Sequence, residues 1–334
     1  MLRWLGDSLS AAAGGLGIHT MYHEPRDYLR ITTLVSQPRL LVSFWKIPVP
    51  WRLGLFNLPE IGRYHLGRAP LVRAIAQVRF PLVAHLQTLA GIAPIQDRLR
   101  PRFPVMEQQQ VQEMTLAFGP GGPASPPQLG QAVNWVFSSE GSGTLTLAVG
   151  AATLTASEEE YEGVESFAEL FGFVLSALTE AEAPPRCDRL GVRYVNAAEA
   201  LPGEERTWTS WFRPELIGWV GSDVLGETST LLSSVSQTNI SSPPPAASGG
   251  PGEIQGLVRH GFVPAQSVIP DVDVRVENPA YLIDIDLFVP VPQRFDVASL
   301  VRQFLALHSE IDRFFRWTLT TEGAEYFELE EVAG

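Results

Sequence analysis

Two aspartates, Asp284 and Asp286, stand two residues apart in the run Leu282-Ile283-Asp284-Ile285-Asp286-Leu287. The flanking isoleucines and leucines alternate with them, which is the pattern of a half-buried strand. On a strand, residues i and i+2 share a face and lie roughly 6.5–7 Å apart. Two carboxylates at that spacing can hold a divalent cation or act as acid and base. They can equally lie on a polar sheet face and pair with arginines. Two arginines are placed to do so, in the matching strings Val78-Arg79-Phe80 and Val192-Arg193-Tyr194. Alternation puts Val78, Phe80, Val192 and Tyr194 in the core and Arg79 and Arg193 on the opposite face. If those strands neighbour the aspartate strand, Arg–Asp pairs of roughly 0.2–1 kcal/mol each follow. Arg79, Arg193, Asn196, Asp284 and Asp286 are therefore the candidate residues for a ligand or partner. Ion pairing within the face is the simplest account of the four charged ones.

Other chemistry has less support. Cys187 is the sole cysteine, so no internal disulfide and no cysteine-rich zinc site can form. It follows Pro184-Pro185-Arg186 without a histidine pattern nearby and reads as a small core residue, not a nucleophile. No Gly-x-Ser-x-Gly elbow, Walker loop or His-Glu-x-x-His motif occurs, and no cofactor or catalytic residue is assigned. His308 reads as a satisfied histidine at the edge of an amphipathic helix. His19 and His23 have helical zinc spacing but lack a third ligand.

The elements that must carry these residues can be drawn from periodicity. A strand is predicted over residues 74–80, and a helix over 83–100 with a break around Gly91 to Pro94. Further strands follow over 111–118, 132–138, 144–149 and 151–156. Ser166-Phe167-Ala168-Glu169 has the form of a capping box for a helix bearing Phe167, Leu170, Phe171 and Val174. The order then repeats: a strand over 189–196, a helix over 208–217, strands over 229–240, 254–263 and 281–289, and a long helix capped by Asp296. Each half also has a Gly/Pro/Ser-rich loop, at 119–128 and 241–252, after the first strand that follows its first helix. The expected fold is α+β, two similar β-α-β-β-β-α halves with a mostly antiparallel sheet and helices on one face. The halves span residues 63–184 and 185–334. Residues 1–62 lack a sustained period and are expected to form a poorly ordered or loosely docked extension.

Several strings together resemble a sporadically distributed bacterial family of uncharacterised proteins. They are Pro70-Leu71-Val72-x-Ala74, Val78-Arg79-Phe80-Pro81, Arg189-Leu190-Gly191-Val192-Arg193-Tyr194-x-Asn196 and Leu282-Ile283-Asp284-Ile285-Asp286. The similarity runs from about residue 63 to the C-terminus. By analogy, such a distribution points to mobile cassettes, for instance phage-defence or toxin-related loci.

Composition bounds the partners. The chain has 334 residues, is 45% hydrophobic and 18% charged, and carries a formal net charge of −13. Residues 1–100 hold 12 Arg/Lys against 5 Asp/Glu, while the remainder holds 12 against 32. An acidic body disfavours nucleic acid and anionic membranes. The apolar stretch 40–58 is broken by Lys46, Arg52 and two prolines, which excludes a membrane span there. A soluble cytoplasmic protein is expected, with a protein partner or small ligand; a homo-oligomer is compatible with this picture. The leading expectation is a non-enzymatic binding or assembly module. The alternatives are a metal-dependent nuclease or phosphohydrolase using Asp284 and Asp286, and a nucleic-acid-binding saddle using Arg79 and Arg193.

Overall fold

A computed structural model describes residues 54–59, 62–115, 118–119, 122–123, 128–139, 141, 143–182, 184–200, 207–226, 229–243, 253–269, 272 and 274–332. His19, His23 and most of the extension expected over residues 1–62 lie outside this set.

The fold is α+β, built on one nine-stranded antiparallel sheet. Its strands, labelled with a short flanking pair, are β1 (Tyr64–Leu66), β2 (Leu71–Arg79), β3 (Val105–Thr115), β4 (Gln128–Ser139), β5 (Gly143–Ala148), β6 (Ala151–Ala156), β7 (Arg189–Glu199), β8 (Ser234–Ser242), β9 (Ile254–Val263), β10 (Ala280–Val289) and β11 (Leu329–Glu331). The sheet order is β8-β9-β10-β7-β2-β6-β5-β4-β3, while β1 and β11 form a separate pair. The two Val-Arg-aromatic strands are central neighbours, with Ala76 opposite Val192 and Arg79 opposite Arg189.

The wiring on the two sides of this seam is alike. In each, the opening strand pairs with the last strand of the meander that follows it, and a long helix then closes the unit. The sides differ by one strand, because the first meander has four strands (β3 to β6) and the second has three (β8 to β10).

Helices α1 (Leu89–Leu99), α2 (Val164–Glu182) and α3 (Val297–Thr318) pack on one face of the sheet. The sequence explains α3 directly. Asp296 caps it by accepting from Ser299 N–H, and Leu300, Phe304, Leu307 and Ile311 recur at helical spacing and are buried. They meet Ala76, Val78, Leu190, Val192, Ile283, Ile285 and Leu287 from the sheet in one apolar cluster. Each large side chain so buried contributes about 1.5–3 kcal/mol.

Three local expectations are revised. Helix α1 runs through Pro94, and the interruption falls earlier, at Thr88, whose side chain caps the helix by accepting from Gly91 N–H. Helix α2 starts at Val164, so Ser166 lies inside its first turn and not at the cap. The helix expected over 208–217 is two short ones, Trp208–Trp211 and Pro214–Ile217, because a residue before proline is pushed to the extended conformation that Arg213 adopts. Residues 54–59 rest on α3: Phe56 stacks on Phe314 at 4.6 Å between ring centres, and Arg313 donates to the Phe56 carbonyl. Among the described residues, no helix is long and apolar enough to cross a membrane.

Candidate functional site

The face opposite the helices carries the polar constellation. Antiparallel partners share a face, so register alone places Arg259, Asp284 and Val195 in one row and Leu257, Asp286, Arg193 and Ile75 in the next. A third row holds Gln255, Phe288, Gly191, Gln77 and Thr153. One end of the face is covered by the loop after β9, where Ile269 and Val276 pack on Val195, Ala197 and Leu282. Among the described residues, no helix packs over the rest.

Asp284 is the fixed point. Its side chain is 2% exposed and accepts from three guanidinium nitrogens: Arg193 Nε at 2.7 Å, Arg193 Nη2 at 2.8 Å and Arg259 Nη1 at 3.1 Å. Arg193 reaches it diagonally, past Asp286, which stands directly opposite. The two-pronged geometry is the one in which a guanidinium best matches a carboxylate. Such a pair offsets the cost of burying both charges only when the lone pairs are used, as they are here.

Asp286 is partnered from two rows away. Arg189 Nη2 donates to both its oxygens, at 3.3 and 3.1 Å, and the Arg189 guanidinium lies 4.1 Å from the centre of the Phe288 ring. That path crosses Gly191. A Cβ there would sit 2.4 Å from Arg189 Nη1, so glycine leaves the space the arginine occupies. Burial pushes the Asp286 carboxyl up from the usual range; Arg189 and Arg193 pull it down, and Asp284 adds to the rise. Burial likewise lowers Arg189, with Asp286 opposing.

Four of the five sequence candidates thus share one face, and they fall into two groups. Arg193, Asp284 and Asp286 belong to the paired cluster. Arg79 stands outside it, on β2 beyond β7, where its Nε donates to Gln77 Oε1 at 3.1 Å. Asn196 lies with Tyr194 on the helix-covered side, 7% exposed, and donates to the Ile283 carbonyl at 3.2 Å. Arg189, Arg259, Gln77 and Phe288 complete the site. Arg189 was visible in the alternation of its strand, whereas nothing in the sequence pairs Arg259 with Asp284 across 25 residues.

The arrangement limits the chemistry open to the aspartates. Both oxygens of Asp284 face guanidinium groups, so a cation would have to displace them. Among the described residues, no three His, Cys, Asp or Glu side chains are grouped to hold a metal ion. Beside Phe288 an open groove of about 290 Å³ is lined by Asn239, Ser241, Gln255 and Leu257.

On the covered side, the Tyr161 and Tyr194 hydroxyls lie 2.9 Å apart and the His308 ring packs on Tyr194. His308 Nδ1 has no hydrogen-bond partner among the described residues, so it is not the satisfied edge histidine expected from the sequence. Cys187 is fully buried and its Sγ donates to the Arg189 carbonyl; burial pushes the thiol up to about 12. No family model matches the chain, and no similar sequence is found among curated proteins.

Proposed function

We propose that this protein is a non-enzymatic binding or assembly module whose uncovered sheet face receives a protein or small-ligand partner. The observation that carries this reading is the pairing of Asp284 with Arg193 and Arg259, which fixes side chains in place instead of leaving carboxylates open to a metal or a substrate. A rigid, hydrogen-bonded polar surface on a well-packed sheet suits recognition, because little side-chain freedom is left to lose on binding. The resemblance to a sporadic bacterial family is part of the same proposal, as is the kinship of the two halves.

The test is affinity capture from a lysate of the source organism with the wild-type protein, with Arg79→Glu/Arg259→Glu on the open face, and with Arg98→Glu on α1. A partner retained by wild type and Arg98→Glu but lost from the face variant is the expected result. Metal-dependent hydrolysis of a phosphoester by the purified protein, abolished in Asp286→Asn, would overturn the reading.

A further inference from the structure

We infer that the corner formed by Arg79, Gln77 and Arg189 docks the oxyanion of a small ligand, a phosphate or a carboxylate, whose body extends towards the groove at Leu257 and Gln255. This deepens the binding-module reading and rests on it.

Arg79 and Arg189 stand directly opposite each other across the β2–β7 seam. Like charges in that position repel and destabilise an antiparallel pair. They do not turn away from each other. Both donate to the same atom, Gln77 Oε1, at 3.1 and 3.2 Å. Gln77 is itself held in that orientation, its Nε2 donating to Thr153 Oγ1 at 3.0 Å. A neutral amide oxygen converges two cations but cannot neutralise them.

The carboxylate nearest to hand, Asp286, is bonded to Arg189 alone of the two and also faces Arg193. Arg79 is exposed, and its terminal nitrogens have no acceptor among the described residues. Gln77 fixes its Nε, so the terminal nitrogens are aimed with part of the ordering cost already met. Two guanidiniums set around a fixed acceptor present the donor fork that matches a phosphate or carboxylate.

The neighbouring surface supplies room for the rest of a ligand. Over Gly191 the surface stays low enough for the Arg189 guanidinium to lie across it, 4.1 Å from the centre of the Phe288 ring, so a ligand body would pass over that guanidinium. Beyond Phe288, the groove offers the amide of Asn239 beside the apolar Leu257, while Ser241 Oγ and Gln255 Nε2 both donate to Glu253 Oε1 at 2.9 Å. At about 290 Å³ it is at the small end of ligand sites. A net charge of −13 repels anions at long range, so capture depends on the local donors and not on steering.

The full-length protein should be titrated calorimetrically with inorganic phosphate and, separately, with acetate at low ionic strength. Saturable millimolar binding of at least one is expected, and the tighter of the two identifies the head group. Arg79→Gln should weaken it about tenfold, or about 1.4 kcal/mol, without changing the melting temperature, since this side chain is exposed. Arg98→Gln should bind as wild type. No saturable binding of either anion, or unchanged binding in Arg79→Gln, overturns the inference. Face-dependent partner capture without anion binding would leave the module reading standing and this site refuted. Turnover of a phosphoester with Arg79-dependent anion binding would do the reverse.

Discussion

Removing the Asp284 carboxylate gives the sharpest test of how the polar face is built. In Asp284→Asn the side chain keeps its shape but loses its charge, and an amide nitrogen now faces guanidinium donors. Arg193, with its side chain 12% exposed, is then left as a buried cation without its two-pronged partner, while Arg259 at 22% can turn to water. Breaking one side of a buried pair costs about 3–5 kcal/mol. For a domain of this size, each kcal/mol moves the melting temperature by about 2–4 °C, so a fall of about 6–20 °C is expected in a thermal melt. Asp286→Asn should cost less than about 1 kcal/mol, because that carboxyl is 23% exposed and its charged form is already opposed by burial. The contrast between two aspartates of one motif is the point of the experiment. The double variant Asp284→Leu/Arg193→Leu should recover part of the loss, since apolar replacement removes both desolvation costs together. If Asp284→Asn melts within about 1 °C of wild type, or Asp286→Asn is the more damaging, the buried-pair account fails.

Gly191→Ala should displace the Arg189 guanidinium from Asp286, because the new Cβ would fall 2.4 Å from its Nη1. The neighbour is the end of a flexible side chain, so a loss under about 1 kcal/mol in chemical denaturation is expected, with weaker phosphate or acetate binding by calorimetry. Burial lowers the imidazole of His308, with Asp312 opposing, and burial lowers that of His260 as well. The unfolded chain then binds more protons below the ordinary imidazole value of about 6.5, so stability should fall as pH drops from 7 towards 5. Melting curves of His308→Phe against wild type should show a shallower slope in that window; an unchanged slope would refute the assignment to His308. Cys187, fully buried with its thiol pushed up to about 12, should resist a thiol reagent at pH 8 in the native protein and react at once in denaturant. Leu307→Ala, deleting a fully buried side chain of α3, should cost about 2–5 kcal/mol by denaturant titration.

Much of the frame is written locally. Alternation in Ala74-Ile75-Ala76-Gln77-Val78 and in Leu190-Gly191-Val192-Arg193-Tyr194 assigns each side chain to a face, and the structure buries Ala74, Ala76, Val78, Leu190, Val192 and Tyr194 accordingly. The Asp296 cap and the apolar stripe of α3 are legible for the same reason, since both depend on neighbours within four residues. Element ends were less legible. Thr88, not Pro94, marks the break before α1, because the capping hydrogen bond to Gly91 N–H competes with the ordinary penalty of a helical proline. Asn196 shares parity with the core residues of β7, so alternation alone would have placed it away from Arg193.

What the sequence by itself determined is which residues lie back to back: Arg79, Arg193, Asp284 and Asp286 on one face, Phe80 and Tyr194 on the other. That follows from the two-residue period of a strand and needs no knowledge of its neighbours. Only the tertiary structure decided who pairs with whom. Strand order sets β7 between β10 and β2, so Arg193 falls beside the aspartates and Arg79 falls one strand too far. Register then aims Arg193 past Asp286 to Asp284, and the missing Cβ of Gly191 lets Arg189 take the partner left over. These are consequences of contacts between residues up to 112 positions apart, whose energies depend on burial and distance and leave no periodic trace along the chain.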